Sequence, residues 1–186
     1  NIPRRFQGKT FNNYDVYPDN KKGFEIVKEY AKSFNERFKA GDWLVLAGGY
    51  GLGKTHLALA TGKSALYYYA NKRYKKNPRL INYMAHKSCP VKFVTITELI
   101  EQIRNSYDSD LINEQEVMER YKLKQLLIID DLGSEKASEW QKEKLYSILD
   151  YRYRELLPTI ITTNLNTSEL KKHVSERVVD RMLEAA

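Results

Sequence analysis

Four short runs rich in apolar and β-branched residues divide the chain, at residues 43–47, 91–96, 126–129 and 159–162. None keeps a steady in–out alternation, so each reads as a strand covered on both faces, as in a parallel sheet. Between them the apolar residues return at helical spacing. Val27, Tyr30, Ala31, Phe34 and Phe38 form one stripe that predicts a helix over residues 23–38, ended by Gly41-Asp42. Residues 56–60 open a second helix, and Leu99, Ile100 and Ile103 belong to a third that Thr97 is placed to cap. Ser138-Glu139-Trp140-Gln141 matches a capping box, and the helix it opens turns Leu145, Ile148 and Leu149 inward and stops near Pro158. A last helix starts at about Ser168. Residues 61–90 are harder to read: residues 66–76 mix Tyr with Lys, and Asn77-Pro78 and Cys89-Pro90 mark turns. Pro3, Gly8 and Pro18 among scattered aromatics make residues 1–20 an extended arm, which divides the chain into an arm (1–22) and a core (23–186).

Strands alternating with helices predict an α/β fold, a parallel sheet sandwiched between helices. Ligands of such sheets sit beyond the carboxyl ends of the strands. Three strands here end in polar groups: a glycine loop at 48–53, Asp130-Asp131, and Thr163-Asn164. These should converge on one site.

Composition narrows the setting. At 186 residues, 42% hydrophobic and 30% charged, the chain fits one globular domain. No apolar run approaches the roughly 18 residues of a membrane span, and no secretory signal is recognisable, so no membrane role is expected. Cys89 is the only cysteine, which excludes an internal disulfide and suits a reducing, cytoplasmic compartment. The net charge is +7, yet residues 43–97 hold nine Lys or Arg and no acid, so that block carries +9 and the remainder −2. Such a block attracts phosphates, of a nucleotide or of a nucleic acid, unless it is simply a solvated surface.

Gly48-Gly49-Tyr50-Gly51-Leu52-Gly53-Lys54-Thr55 is a complete phosphate-binding loop, with His56 just behind it. Glycines let the backbone approach phosphates, and the loop feeds a helix amino terminus whose free N–H groups favour anions. Lys54 is suited to the β- and γ-phosphates and the Thr55 hydroxyl to magnesium. A second Gly-Lys-Ser at 62–64 lacks the leading glycine, since position 57 is Leu57, and is discounted as a loop. Asp130 after four apolar residues is the expected partner for Mg2+, and Asp131 is placed to orient or deprotonate the attacking water. Asn164, 34 residues beyond Asp130, is the expected contact to the γ-phosphate or lytic water. Together these predict a P-loop NTPase that binds ATP.

Residues 123–165, from Leu-Lys-Gln-Leu-Leu-Ile-Ile-Asp-Asp-Leu-Gly-Ser-Glu through Asp150-Tyr-Arg-Tyr to Thr159-Ile-Ile-Thr-Thr-Asn-Leu, resemble the DnaC-type bacterial helicase loaders. These are a branch of the AAA+ ATPases that also holds the DnaI loaders and the transposition ATPase IstB. Ile2-Pro3-Arg4-Arg5-Phe6 and Lys9-Thr10-Phe11-Asn12-Asn13-Tyr14 look like the lead-in to their ATPase domain, and only residues 61–90 fall outside the likeness. The resemblance implies an AAA+/ASCE core that delivers a hexameric replicative DNA helicase and binds single-stranded DNA. It also implies self-assembly through the ATP site, where a neighbour's arginine contacts the γ-phosphate. Arg181 is the first candidate for that arginine and Arg177 the second, the alternative being an arginine in a surface ion pair. For DNA the likeness points to Arg104 and Tyr107, with Tyr67-Tyr68-Tyr69 and residues 72–76 as rivals. Asp131 occupies a step where most ATPases of this broad group carry Glu. Two departures from the family stand out: its amino-terminal helicase-binding domain is not present, as in a trimmed protein, and the sequence given ends soon after Arg181, before any later nucleotide-sensing arginine could be placed. Both predict weak hydrolysis. An IstB-like transposition ATPase shares nearly every residue named. A P-loop small-molecule kinase is the more distant alternative, and a nucleotide-holding module without turnover is a third.

Overall fold

The computed structural model describes residues 2–74, 89–107 and 113–186, with the side chains of 70–74 excepted. The arm is not extended: it makes 3-10 turns at Arg4–Phe6 and Phe11–Asn13 and packs onto the core. Helix α1, Pro18–Lys32, begins before the expected start, so the boundary at residue 22 falls inside it. The reason is local: Pro18 sits at the first helical position, where its fixed φ and missing N–H cost nothing, and Asn20 accepts from the Tyr17 N–H at 2.8 Å. The single stripe over 23–38 becomes two helices, because Ser33 turns its hydroxyl back onto the Glu29 carbonyl at 2.9 Å and ends α1. Helix α2, Phe34–Ala40, then ends at Gly41 in the left-handed region, φ 76.

Strand β1, Leu44–Ala47, leads through the glycine loop into helix α3, Lys54–Tyr74. Strand β2, Val91–Thr95, is one residue shorter than expected, because Thr95 rather than Thr97 caps helix α4, Ile96–Asn105, in a capping box with Glu98. Helix α5, Glu114–Lys122, was not legible in its polar stretch, although Asn113 caps it and Val117, Met118 and Tyr121 are buried. Strand β3, Leu126–Asp130, and helix α6, Glu139–Arg154, follow, with Ser138 and Gln141 forming the expected box. Strand β4, Thr159–Thr163, completes the sheet. The expected last helix is two, α7, Thr167–His173, and α8, Glu176–Ala185, each with its own cap at Asn166 and Ser175.

The sheet is parallel with strand order β1-β4-β3-β2, so β4 lies between the strand that feeds the glycine loop and the strand that ends in Asp130. Successive side chains of β3 point to opposite faces: Leu126 and Ile128 join one core with α1, α2 and α3, and Leu127 and Ile129 join the other with α4 to α8. These four side chains are at most 1% exposed, each worth about 1.5–3 kcal/mol of burial. Among the described residues no helix is long and apolar enough to cross a membrane.

Candidate nucleotide site

The carboxyl ends of β1, β3 and β4 bring the expected residues into one hydrogen-bonded array. Lys54 Nζ donates to the Gly48 and Gly49 carbonyls at 2.8 and 2.7 Å and to Asn164 Oδ1 at 2.7 Å. The other end of the same amide, Asn164 Nδ2, donates to Asp131 Oδ1 at 2.7 Å. Asn164 therefore bridges an ammonium and a carboxylate, each facing the end of the amide that suits it. Desolvation pushes the Lys54 ammonium below its usual range, opposed by the charges of Asp131 and Asp130.

Asp130 is 6% exposed and accepts from Thr55 Oγ1 at 2.9 Å and from Thr162 Oγ1 at 2.6 Å. Burial raises its carboxyl above the usual range; the two hydroxyls pull the other way, Asp131 adds to the rise and Lys54 opposes it. Thr162 was not foreseen. It lies in β4 and also accepts from the Asp131 N–H at 2.9 Å, tying Asp130, Asp131 and the middle strand together. Its signal was a hydroxyl in an otherwise apolar strand, which has to find partners once buried. Asp131 itself holds φ 61, a left-handed conformation that costs a non-glycine residue energy and that Asp tolerates better than most. Thr55 and Asp130 make a fitting pair for a magnesium ion that keeps most of its waters, one hydroxyl and one carboxylate within 2.9 Å of each other.

A cleft of about 850 Å3 runs from this array to the arm, with Tyr50, Gly51, Leu52 and Gly53 on one wall and Phe6, Tyr14 and Tyr17 on another. Tyr50 is 87% exposed at the tip of the loop. Gly53 has φ 73, and a Cβ there would lie 2.5 Å from the Tyr14 ring. Tyr14 donates to the Leu52 carbonyl at 2.6 Å and stacks on Phe24, 5.3 Å between centroids. His56 turns away from the loop to the arm, with Nε2 2.7 Å from the Thr10 carbonyl.

The two candidate arginines are not in this cleft. Arg181 pairs with Asp150 at 3.3 Å and Glu184 at 2.8 Å and lies over the Tyr153 ring at 4.7 Å, the ion-pair arrangement that the sequence left open. Arg177 is exposed on the same helix, and among the described residues it makes no hydrogen bond or ion pair. Of the nucleic-acid candidates, Arg104 lies 5.9 Å from the Trp140 ring, and Tyr107, 55% exposed, accepts from Trp140 Nε1 at 3.2 Å. Tyr69 is buried against Phe34 and Phe38, Tyr68 packs edge-on against Phe34, and Tyr67 is exposed. The rest of that rival, residues 72–76, lies outside the described side chains.

The model of the bacterial DnaA ATPase domain matches residues 6–184. The chain belongs to the bacterial DnaA ATPase domain family. It is similar to the replicative helicase loader DnaI of Bacillus subtilis (strain 168), 27% identical over 174 residues, covering 92% of this chain and 49% of the loader. A crystal structure of the DnaC helicase loader superposes with a TM-score of 0.76 at 26% identity, covering 98% of this chain and 96% of that one. The replication initiator DnaA, solved with AMPPCP and single-stranded DNA, shares the fold with a TM-score of 0.71 at 21% identity over 95% of this chain and 48% of its own. The family domain thus matches nearly the whole chain, and the chain spans about half the length of the DnaI loader. These likenesses agree with the loader resemblance and with an AAA+ P-loop fold, and they make the domain an ATPase-type nucleotide-binding one.

Proposed function

We propose that this domain binds ATP with magnesium and hydrolyses it, serving as the nucleotide switch of a replicative helicase loader. The observation that supports this reading is the continuous array Lys54–Asn164–Asp131, with the Lys54 ammonium and the Asp131 carboxylate on the two ends of one amide. Lys54 holds the β- and γ-phosphates, and the free N–H groups at the start of α3 favour the anion. Thr55 and Asp130 hold the magnesium, which supplies charge neutralisation at the phosphates. Asp131 accepts a proton from, or aligns, the attacking water, and Asn164 fixes the position of Asp131 relative to the γ-phosphate. In this reading Arg181, or failing it Arg177, reaches a neighbouring copy's site, which requires Arg181 to leave Asp150 and Glu184. The partners that follow are the hexameric replicative helicase, single-stranded DNA and further copies of this chain, in the cytoplasm. The names of the loaders, and the DNA in the initiator's structure, support these partners by analogy.

The test is nucleotide turnover with and without single-stranded DNA. Lys54→Ala is expected to lower turnover about a hundredfold, the scale for removing one preorganised donor from a developing charge. Equal turnover in the two proteins overturns the assignment. Transfer of phosphate to a nucleoside, with no free phosphate, replaces it with a kinase.

A further inference from the structure

The Gly-Lys-Ser at 62–64 is not idle. Gly62 faces β3 so closely that a Cβ would lie 2.6 Å from Ile128 Cδ1, which lets α3 settle against the sheet. Lys63, the next residue, points the other way, to the arm. Its Nζ donates to the Lys9 carbonyl at 2.7 Å and to the Gln7 carbonyl. His56 lies seven residues earlier, two turns back on the same helix face, and its ring nitrogen is 2.7 Å from the Thr10 carbonyl. Asn13 Nδ2 donates to the Gly8 carbonyl at 2.9 Å. Four successive carbonyls of a segment without regular structure, Gln7 to Thr10, thus each have a side-chain partner, and α3 supplies three of the four bonds. A segment with no ladder must have its backbone satisfied by side chains or water, so these bonds fix where the arm lies.

What the arm does from that position follows from the cleft. The glycine loop and Lys54 occupy one end, and that end accounts for a triphosphate. Of the rest of the lining, Phe6, Tyr14 and Tyr17 belong to the arm, and Thr95, Ile96 and Thr97 to the end of β2 and the start of α4. The arm is the wall joined directly to the glycine loop, through the Tyr14 bond to the Leu52 carbonyl, and so stands where the nucleoside half of a bound nucleotide leaves the loop.

We infer that Lys63 is a positioning residue for nucleotide binding: it clamps the arm onto α3, and the clamped arm forms the wall that receives the nucleoside. This rests on the proposed nucleotide reading of the cleft. Lys63 contacts no phosphate; it acts through the carbonyls of Gln7 and Lys9. Losing it should therefore weaken ligands that carry a nucleoside and spare ligands that are phosphate alone. A residue needed only for folding would weaken both.

The experiment measures dissociation constants of magnesium-ATP and magnesium-tripolyphosphate for wild type, Lys63→Met and Lys63→Arg. Lys63→Met keeps the apolar stem and loses the charge, and Lys63→Arg keeps both donors and charge. The expected result is ATP binding about tenfold weaker in Lys63→Met, the scale of one charge-assisted hydrogen bond. Tripolyphosphate binding stays within about twofold of wild type on that account, and Lys63→Arg restores most of the ATP affinity. Equal weakening of both ligands, or no change in either, overturns the clamp while leaving the nucleotide reading standing. Failure of the wild type to bind either ligand overturns both.

Discussion

The two ends of the sheet each bury a charge, and they treat it differently. At the amino end Arg152 is fully buried and, among the described residues, has no carboxylate partner. Its guanidinium donates instead to Thr159 Oγ1 at 2.9 Å and to the carbonyls of Tyr121, Lys122, Lys124 and Pro158 at 2.7–3.0 Å. Tyr121 and Lys122 are in the last turn of α5, where the helix dipole favours a cation. Burial lowers this guanidinium to about 9, which still leaves it charged at neutral pH. At the carboxyl end Asp130 is also buried, but two hydroxyls and one shared lysine stand opposite two adjacent aspartates, one of them in the left-handed region. The amino end is complete as it stands. The carboxyl end holds more negative charge and more backbone strain than the chain itself compensates, as expected where a ligand has to finish the site.

If that contrast is right, the largest stability effect should come from the end away from the chemistry. Arg152→Met fills similar volume but leaves four carbonyls at the bases of α5, β3 and β4 without their donor. Buried acceptors left unpaired, together with a lost buried cation, predict a loss of about 3–5 kcal/mol in denaturant unfolding. Magnesium-ATP should still bind the fraction that remains folded with near wild-type affinity. A variant as stable as wild type would mean that water replaces the guanidinium freely, and the contrast between the ends would fail.

The carboxyl end is predicted to be sensitive in a second way, through shape. Gly53→Ala places a methyl group in a φ 73 backbone and 2.5 Å from the Tyr14 ring. The strained backbone alone costs on the order of 1–3 kcal/mol. Displacing Tyr14 also breaks its bond to Leu52, so ATP affinity should fall along with stability. The double variant with Tyr14→Ala separates the two: a penalty that shrinks in that background belongs to the ring collision, and an unchanged one belongs to the backbone.

How much of this was legible beforehand divides along the same line. The glycine loop, Asp130, Asp131 and Asn164 announce themselves, because phosphate chemistry demands those residue types directly after strands. The strands were legible because both faces of β1, β3 and β4 are covered and their sequences cannot alternate. Thr162, Tyr14 and Lys63 were not, because each works through a partner 31 to 56 residues away in sequence that only the fold brings near. Helix α5 is hidden for a related reason: three buried residues in nine, among six polar or charged ones, leave too narrow a stripe to stand out. The break at Ser33 was hidden because the apolar stripe runs on across it into α2. The role of Arg152 is not legible either, since nothing local says that four carbonyls will gather around it.

The smallest effect is the most discriminating, because its sign is opposite to the others. Asp130→Asn keeps an oxygen for the hydroxyls of Thr55 and Thr162 and removes a charge that the unliganded fold disfavours. Folding raises the Asp130 carboxyl, so the folded state holds its proton more tightly than the unfolded chain does. The stability linked to that proton is fully present below the ordinary carboxylate value of roughly 4 and is lost as pH rises through the raised folded value. At neutral pH, without nucleotide, Asp130→Asn should therefore be more stable than wild type by about 1 kcal/mol, the usual scale for relaxing a functional site. The advantage should shrink as pH falls toward 4, because wild type then gains the proton that Asn mimics. With magnesium and ATP the order should reverse, since only the carboxylate holds the metal. Unfolding curves of both proteins across that pH range, with and without ligand, give the answer. A gain independent of pH would assign the effect to packing rather than to charge, and a loss at neutral pH without ligand would show that the carboxyl end, like the amino end, is complete on its own.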